Sequence, residues 1–198
     1  MDVTDHRDGA GALTVDDLAR TPDDGRRYEL VDGGLDVSPL QEAGHTIVRS
    51  RLTYLLGRSV PDTYDVLAGT GIILSPTAFR IPDVAVFDQG LPDEGYFTTP
   101  PLLAVEILSP ESALRDGHTK RAEYAAFGIP AYWVINPHPG STGIAEMRLV
   151  DGQYHDVTQI HGEGVFETEV PFPVRLVPQW LVASGPWRDH IGGPAGAD

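Results

Sequence analysis

Two carboxylates lie inside otherwise apolar runs. Asp83 falls in Arg80-Ile81-Pro82-Asp83-Val84-Ala85-Val86-Phe87, and Glu106 in Leu102-Leu103-Ala104-Val105-Glu106-Ile107-Leu108. Each run reads as a buried strand. A lone buried carboxylate costs several kcal/mol or gives up its charge. Two on neighbouring strands therefore need a cation between them. Lys120 follows in a helical segment. Asp, Glu and Lys together suit magnesium-dependent phosphodiester chemistry. The hard ion takes oxygen ligands, and the carbonyl of Ile107 is the expected third oxygen beside Asp83 and Glu106. Such an ion, Mg²⁺ or Mn²⁺, stabilises charge on phosphorus and acidifies a bound water. Lys120 would orient that water or offset charge on the scissile phosphate. Divalent metal is expected to raise thermal stability by relieving repulsion between the acids.

Each residue also has a simpler explanation. Pro82-Asp83 could be a strand-entry turn, since proline lacks the ladder donor. Glu106 could form a structural salt bridge, and Lys120 could be a surface lysine. The set is more specific than its members.

The elements that would carry them follow from punctuation and periodicity. Thr14 opens a short helix with acids in its first turn. Segments 27–31 and 35–38 flank Asp32-Gly33-Gly34 as a hairpin. A helix is expected over 42–57, with Val48, Leu52, Leu55 and Leu56 on one face. Strands are expected near 64–74, 80–87, 102–109 and 131–135, and a second helix over 116–127, capped by Gly128. Asp151-Gly152 turns a hairpin between 147–150 and 153–158. The fold class is α/β, a central mixed sheet flanked by helices with additional hairpins. One domain is expected over 13–190, between a disordered tail at 1–12 and a flexible tail at 191–198.

Composition narrows the setting. The 198 residues carry a net charge of −15 and no cysteine. Acidity counts against strong nonspecific DNA binding, which needs Lys and Arg. A local basic rim remains available from Arg49, Arg51 and Arg58, or from Arg115, Lys120 and Arg121; ordinary solvated charges are the simpler reading. Without cysteine there is no disulfide or thiolate metal site. This suits a reducing cytoplasm, as does a start that lacks signal-peptide features. No apolar run approaches the ~20 residues needed to span a membrane.

Longer stretches carry a resemblance. They are Tyr28-Glu29-Leu30-Val31-Asp32-Gly33, His45, Ile81-Pro82-Asp83-Val84-Ala85-Val86 and Leu103-Ala104-Val105-Glu106-Ile107-Leu108-Ser109-Pro110. Lys120 with Tyr124 follows, then Gly128-Ile129-Pro130-Ala131-Tyr132-Trp133-Val134-Ile135-Asn136-Pro137. In order and spacing this resembles the Uma-type restriction endonucleases of the PD-(D/E)XK nuclease superfamily. The resemblance implies a restriction-endonuclease-like fold, DNA as substrate and a catalytic set of Asp83, Glu106 and Lys120. The superfamily places its lysine two residues after the glutamate, where this chain has Leu108. The resemblance thus implies a lysine moved to the next helix. It also brings His45 and Glu29 towards the site. From position alone, His45 could equally be a core histidine, and Glu29 could pair with Arg26 or Arg27. Tyr124 shares the helix face of Lys120 and is expected to pack beside it.

Three readings compete. The first is a metal-dependent endonuclease cutting DNA, expected as a homodimer because two sites cut two strands simply. The second is a non-catalytic binding or interaction module of the same fold, which the acidic charge favours. The third, a two-carboxylate glycosidase, is weaker, since such acids usually line open clefts rather than adjacent strands.

Overall fold

The structure is a computed structural model that describes residues 11–88, 90, 92, 95–109 and 116–193. Most of both expected tails, and Arg115, lie outside the described residues. Ile191 is buried in the core and accepts the Val177 N–H at 2.8 Å.

A 3-10 turn, Val15–Arg20, starts at Thr14, whose N–H and hydroxyl both donate to the Asp17 carboxylate. Strands β1 (Arg27–Val31) and β2 (Gly34–Ser38) form the expected hairpin. Asp32 and Gly33 both have positive φ, 49° and 77°, the turn geometry that matches strand twist. Helix α1 (Ala43–Ser59) buries Val48, Leu52, Leu55 and Leu56. Next come β3 (Tyr64–Ala68), β4 (Ile72–Ser75), β5 (Ala78–Arg80), β6 (Val84–Asp88) and β7 (Leu103–Ile107). Helix α2 (Asp116–Phe127) ends at Gly128, whose φ is 91°. Strands β8 (Ala131–Asn136), β9 (Gly143–Val150), β10 (Gln153–His161), β11 (Phe166–Thr168) and β12 (Val174–Leu176) follow, then short helices α3 (Gln179–Val182) and α4 (Trp187–His190).

The main sheet has the order β10-β9-β8-β7-β6-β3. Within it β7 and β8 pair in parallel, and α2 supplies the crossover that a parallel pair requires. A second sheet runs β2-β1-β5-β4, and β11 pairs with β12. The expected continuous strands over 64–74 and 80–87 are each divided between the two large sheets. β3 and β6 pair in one, β4 and β5 in the other. The breaks have local causes. Gly69 adopts φ 64°, and a Cβ on Gly71 would collide with the Phe79 ring. At the second break, Pro82 has no N–H to continue a ladder. Asp83 therefore stands at the seam between sheets, outside both β5 and β6. Its N–H donates to Val105 O at 3.0 Å and its carbonyl accepts from Gly69 N–H at 3.0 Å.

Alternation along the strands divides the core. Val84, Val86, Leu103, Val105, Ala131 and Trp133 pack with the buried face of α1. Ala104 and Tyr132 point the other way, against Tyr124 of α2. Glu106, two residues after Ala104, shares the α2 side.

Candidate functional site

The β6–β7 ladder pairs Val84 with Val105. Just beyond the end of this ladder, Asp83 donates its N–H to Val105 O and its carboxylate accepts from Ile107 N–H, so its side chain lies against the end of β7 that carries Glu106. The Asp83 side chain is held by four donors. Ile107 N–H reaches Oδ2 at 2.8 Å, and His45 Nε2 lies 3.2 Å from the same oxygen. Arg27 Nη1 and Gln41 Nε2 reach Oδ1 at 3.1 Å and 3.0 Å. Burial alone would push this carboxyl up. The His45 hydrogen bond and the Arg27 charge outweigh it and bring the pKa to about 2. Asp83 is thus a fixed anion.

Glu106 is buried and reached from α2. Lys120 Nζ donates to Oε2 at 2.9 Å, and the Tyr124 hydroxyl donates to Oε1 at 2.7 Å. One helical turn separates the two donors, so a single face of α2 supplies both. Burial raises the Glu106 pKa, and neighbouring Asp83 and Glu29 push the same way against the pull of Lys120 and Arg27. Burial lowers the Lys120 pKa, but Glu106 and Glu29 more than offset it, so the ammonium stays charged. Burial and the nearby carboxylates hold the Tyr124 phenol well above its usual range, which keeps it a donor.

Glu29 joins these two halves. Its Oε1 accepts from Ile81 N–H at 2.6 Å and from Arg27 Nη2 at 3.0 Å. Its Oε2 lies 3.6 Å from both Lys120 Nζ and Arg80 Nη1. Of the two arginines considered for Glu29, Arg27 is the partner, while Arg26 pairs with Asp24. Arg80 in turn grips Glu123 of α2 with Nε at 2.7 Å and Nη2 at 3.0 Å.

The structure therefore brings Glu29, His45, Asp83, Glu106, Lys120 and Tyr124 into one cluster, with Ile107 contributing its N–H to Asp83. Arg27, Gln41, Arg80 and Glu123 also belong to the site, although none of them is among the candidate site residues expected from the sequence. Arg80 left the clearest trace, a second charge in the same apolar run as Asp83. Gln41 left none, because it stands in the turn before α1. Arg27 pairs with Asp83 and Glu29, and Lys120 with Glu106 and Glu29.

The proposed basic rims fare differently. Arg51 Nη1 donates to the carbonyls of Trp180 and Ala183 and stacks on Trp187, a structural role. Arg121 binds the Tyr154 carbonyl and Asp156, and Lys120 is buried. Arg58 remains exposed over the Tyr54 ring, where exposed Arg188 of α4 joins it.

Among the described residues, no group of three or more His, Asp or Glu is arranged to hold a metal ion. The donor set at Asp83 and Glu106 is nevertheless that of a hard cation: two oxygen ligands and no sulfur. Magnesium commonly takes one or two carboxylates and keeps its waters. Two buried nitrogens here, Arg27 Nε and His45 Nδ1, lack a hydrogen-bond partner. Unsatisfied buried donors and acceptors are rare enough to mark unused capacity. The two carboxylates are the groups whose donor chemistry fits magnesium; the Arg27 Nε–H is a donor on a cation and ligates no metal.

Comparison with known proteins agrees with this architecture. The crystal structure of a "putative nuclease belonging to DUF820" from Anabaena variabilis ATCC 29413 superposes with a TM-score of 0.62 at 15% identity. The match covers 79% of this chain and 89% of that one, and at this identity it speaks for the fold. No curated protein matches the sequence. The family model of Uma2, described as "Putative restriction endonuclease", matches residues 15–190. The chain belongs to the Uma2 family and has its restriction-endonuclease-like fold.

Proposed function

We propose that the protein is a metal-dependent endonuclease that hydrolyses DNA phosphodiester bonds. The observation that carries this reading is the meeting of the Asp83 carboxylate with the Ile107 N–H, next to Glu106 on the same strand, with the Lys120 ammonium 2.9 Å from Glu106. Asp83, Glu106 and the Ile107 carbonyl would hold Mg²⁺ or Mn²⁺. When bound, the ion would supply Lewis acidity at the scissile phosphate. Lys120 would carry positive charge to a phosphate oxygen or align the attacking water. Tyr124 would keep Glu106 oriented, and Glu29 would position Lys120. His45 would fix Asp83 through its Nε2–H.

Substrate approach needs cations on an acidic chain. Arg58 and Arg188, each against the Tyr54 ring, would provide them. Arg188 also lies 4.6 Å from the Trp187 ring centroid. Lys120 would take the role that the superfamily gives to a lysine at the place of Leu108. A homodimer with two such sites would cut both strands.

The second reading, a non-catalytic module of the same fold, draws on the saturation of Asp83 by four protein donors. A nicking assay on supercoiled plasmid separates the two. The endonuclease reading expects relaxed circles with Mn²⁺ and none with chelator. Intact plasmid in both arms would leave the binding module.

A further inference from the structure

Arg27 is the least comfortable residue at the site. Its side chain is 17% exposed, yet its guanidinium bridges Asp83 at 3.1 Å and Glu29 at 3.0 Å. Its Nε is buried with no hydrogen-bond partner. Two carboxylates satisfy the two ends of the fork and leave the third donor position empty. A group chosen only for structure would more often satisfy every buried donor.

The charge balance points the same way. Glu29, Asp83, Glu106 and Glu123 face Arg27, Arg80 and Lys120. Leaving His45 aside, four carboxylates meet three cations, one positive charge short. Adding a divalent ion to this set would overshoot by one. Replacing the monovalent guanidinium with a divalent ion would balance it. The other two cations are less free to leave. Arg80 is 2% exposed and held by both oxygens of Glu123. Lys120 is tied to Glu106 and lies beside Glu29. Arg27 is the most exposed of the three, and it sits on the short β1 hairpin rather than behind α2.

We propose that Arg27 is a resident counter-cation that keeps the carboxylates of the metal site neutralised until a divalent ion arrives. It then releases Asp83 to the ion and swings to the mouth of the site. This rests on the metal-site reading above and adds a residue that sets metal affinity. Asp83 has other donors in Gln41, His45 and Ile107 N–H, so it stays oriented when the guanidinium departs. Ion and guanidinium compete for one charge, so Arg27 weakens metal binding while stabilising the metal-free fold.

Calorimetric Mn²⁺ titration of the wild-type chain and of Arg27→Gln tests this. The variant should bind Mn²⁺ at least tenfold more tightly, melt lower without metal, and gain more in Tm when metal is added. Equal or weaker Mn²⁺ affinity in a folded Arg27→Gln overturns the proposal and leaves the metal site standing. Absence of Mn²⁺ binding in both proteins overturns the metal site and this inference with it. A second measurement needs no variant. In the wild-type chain, the Arg27 Nε–H should exchange with water at least tenfold faster at saturating Mg²⁺ than without it. Unchanged protection in saturating Mg²⁺ contradicts release of the guanidinium.

Discussion

Lys120 Nζ lies 2.9 Å from Glu106 Oε2, although the residues are 14 apart and stand on a helix and a strand. The parallel step from β7 to β8 requires a crossover, and α2 is that crossover. A lysine on its inner face thus returns to the strand it has just left. Leu108 can then stay apolar while its N–H donates to Ile135 O at 2.8 Å. Under the nuclease reading, Lys120→Ala should slow plasmid nicking about 10²–10³-fold, the range for losing a group that stabilises transition-state charge. Its Mn²⁺ affinity should change far less. Nicking by Lys120→Ala at the wild-type rate would remove Lys120 from the chemistry.

Asp83→Asn should destabilise the metal-free protein rather than relieve it. The repulsion expected from paired acids is already met by Arg27 and Lys120. The amide would leave the Arg27 guanidinium without its Asp83 charge. Breaking one side of a buried ion pair costs about 3–5 kcal/mol. Urea unfolding without metal should show a lower midpoint. A midpoint above that of wild type would mean that the acids repel in the folded state.

Asp83 also fixes an acid limb of stability. Its folded pKa of about 2 lies below the ordinary value of 3.8. A depressed carboxyl contributes stability above the unfolded pKa and loses it as pH falls through the folded one. The contribution is about 2 kcal/mol, complete above pH 3.8 and lost towards pH 2. Glu106 shifts upward and so carries the opposite sign. The slope of unfolding free energy between pH 4 and pH 2 should flatten in Asp83→Asn relative to wild type, by roughly this contribution. An identical slope would show that Asp83 is not depressed.

Tyr124→Phe removes the hydroxyl bound to Glu106 Oε1 at 2.7 Å. Glu106 is buried, so the vacated lone pair has no solvent to replace the donor. A loss of about 1–3 kcal/mol is expected in chemical denaturation. A variant as stable as wild type would mean that this hydrogen bond makes no net contribution.

Arg58→Glu with Arg188→Glu tests the approach surface. Both side chains are exposed, so folding should be preserved. Fluorescence anisotropy with a labelled DNA duplex in chelator should show weaker binding. It should also show a shallower dependence on log salt, by about 0.9 for each phosphate no longer neutralised. Unchanged affinity and slope would move the DNA path elsewhere.

Asp83, Glu106 and Lys120 were visible in the sequence because each is a charge where an apolar side chain was due, or follows one in order. The hairpin turns and the buried face of α1 were equally plain, since Asp-Gly pairs and 3.6-residue periodicity are local signals. Division of the sheet was not. β4 and β5 look like continuations of β3 and β6, and only Gly69, Gly71 and Pro82 mark the crossing. Gln41 and Glu123 reach the site through tertiary packing that no local pattern records. Glu146 shows why burial alone is a weak signal. It lies in β9, as buried as Asp83, but it is held by Trp133, Arg148 and Thr168, away from the cluster.

The most direct test of the metal site is calorimetric Mn²⁺ titration of the wild-type chain, Asp83→Ala and Glu106→Ala, each verified as folded. One bound ion per wild-type chain is predicted, with no measurable binding in either variant. No binding to wild type, or wild-type affinity in both variants, would contradict a site built on these two carboxylates.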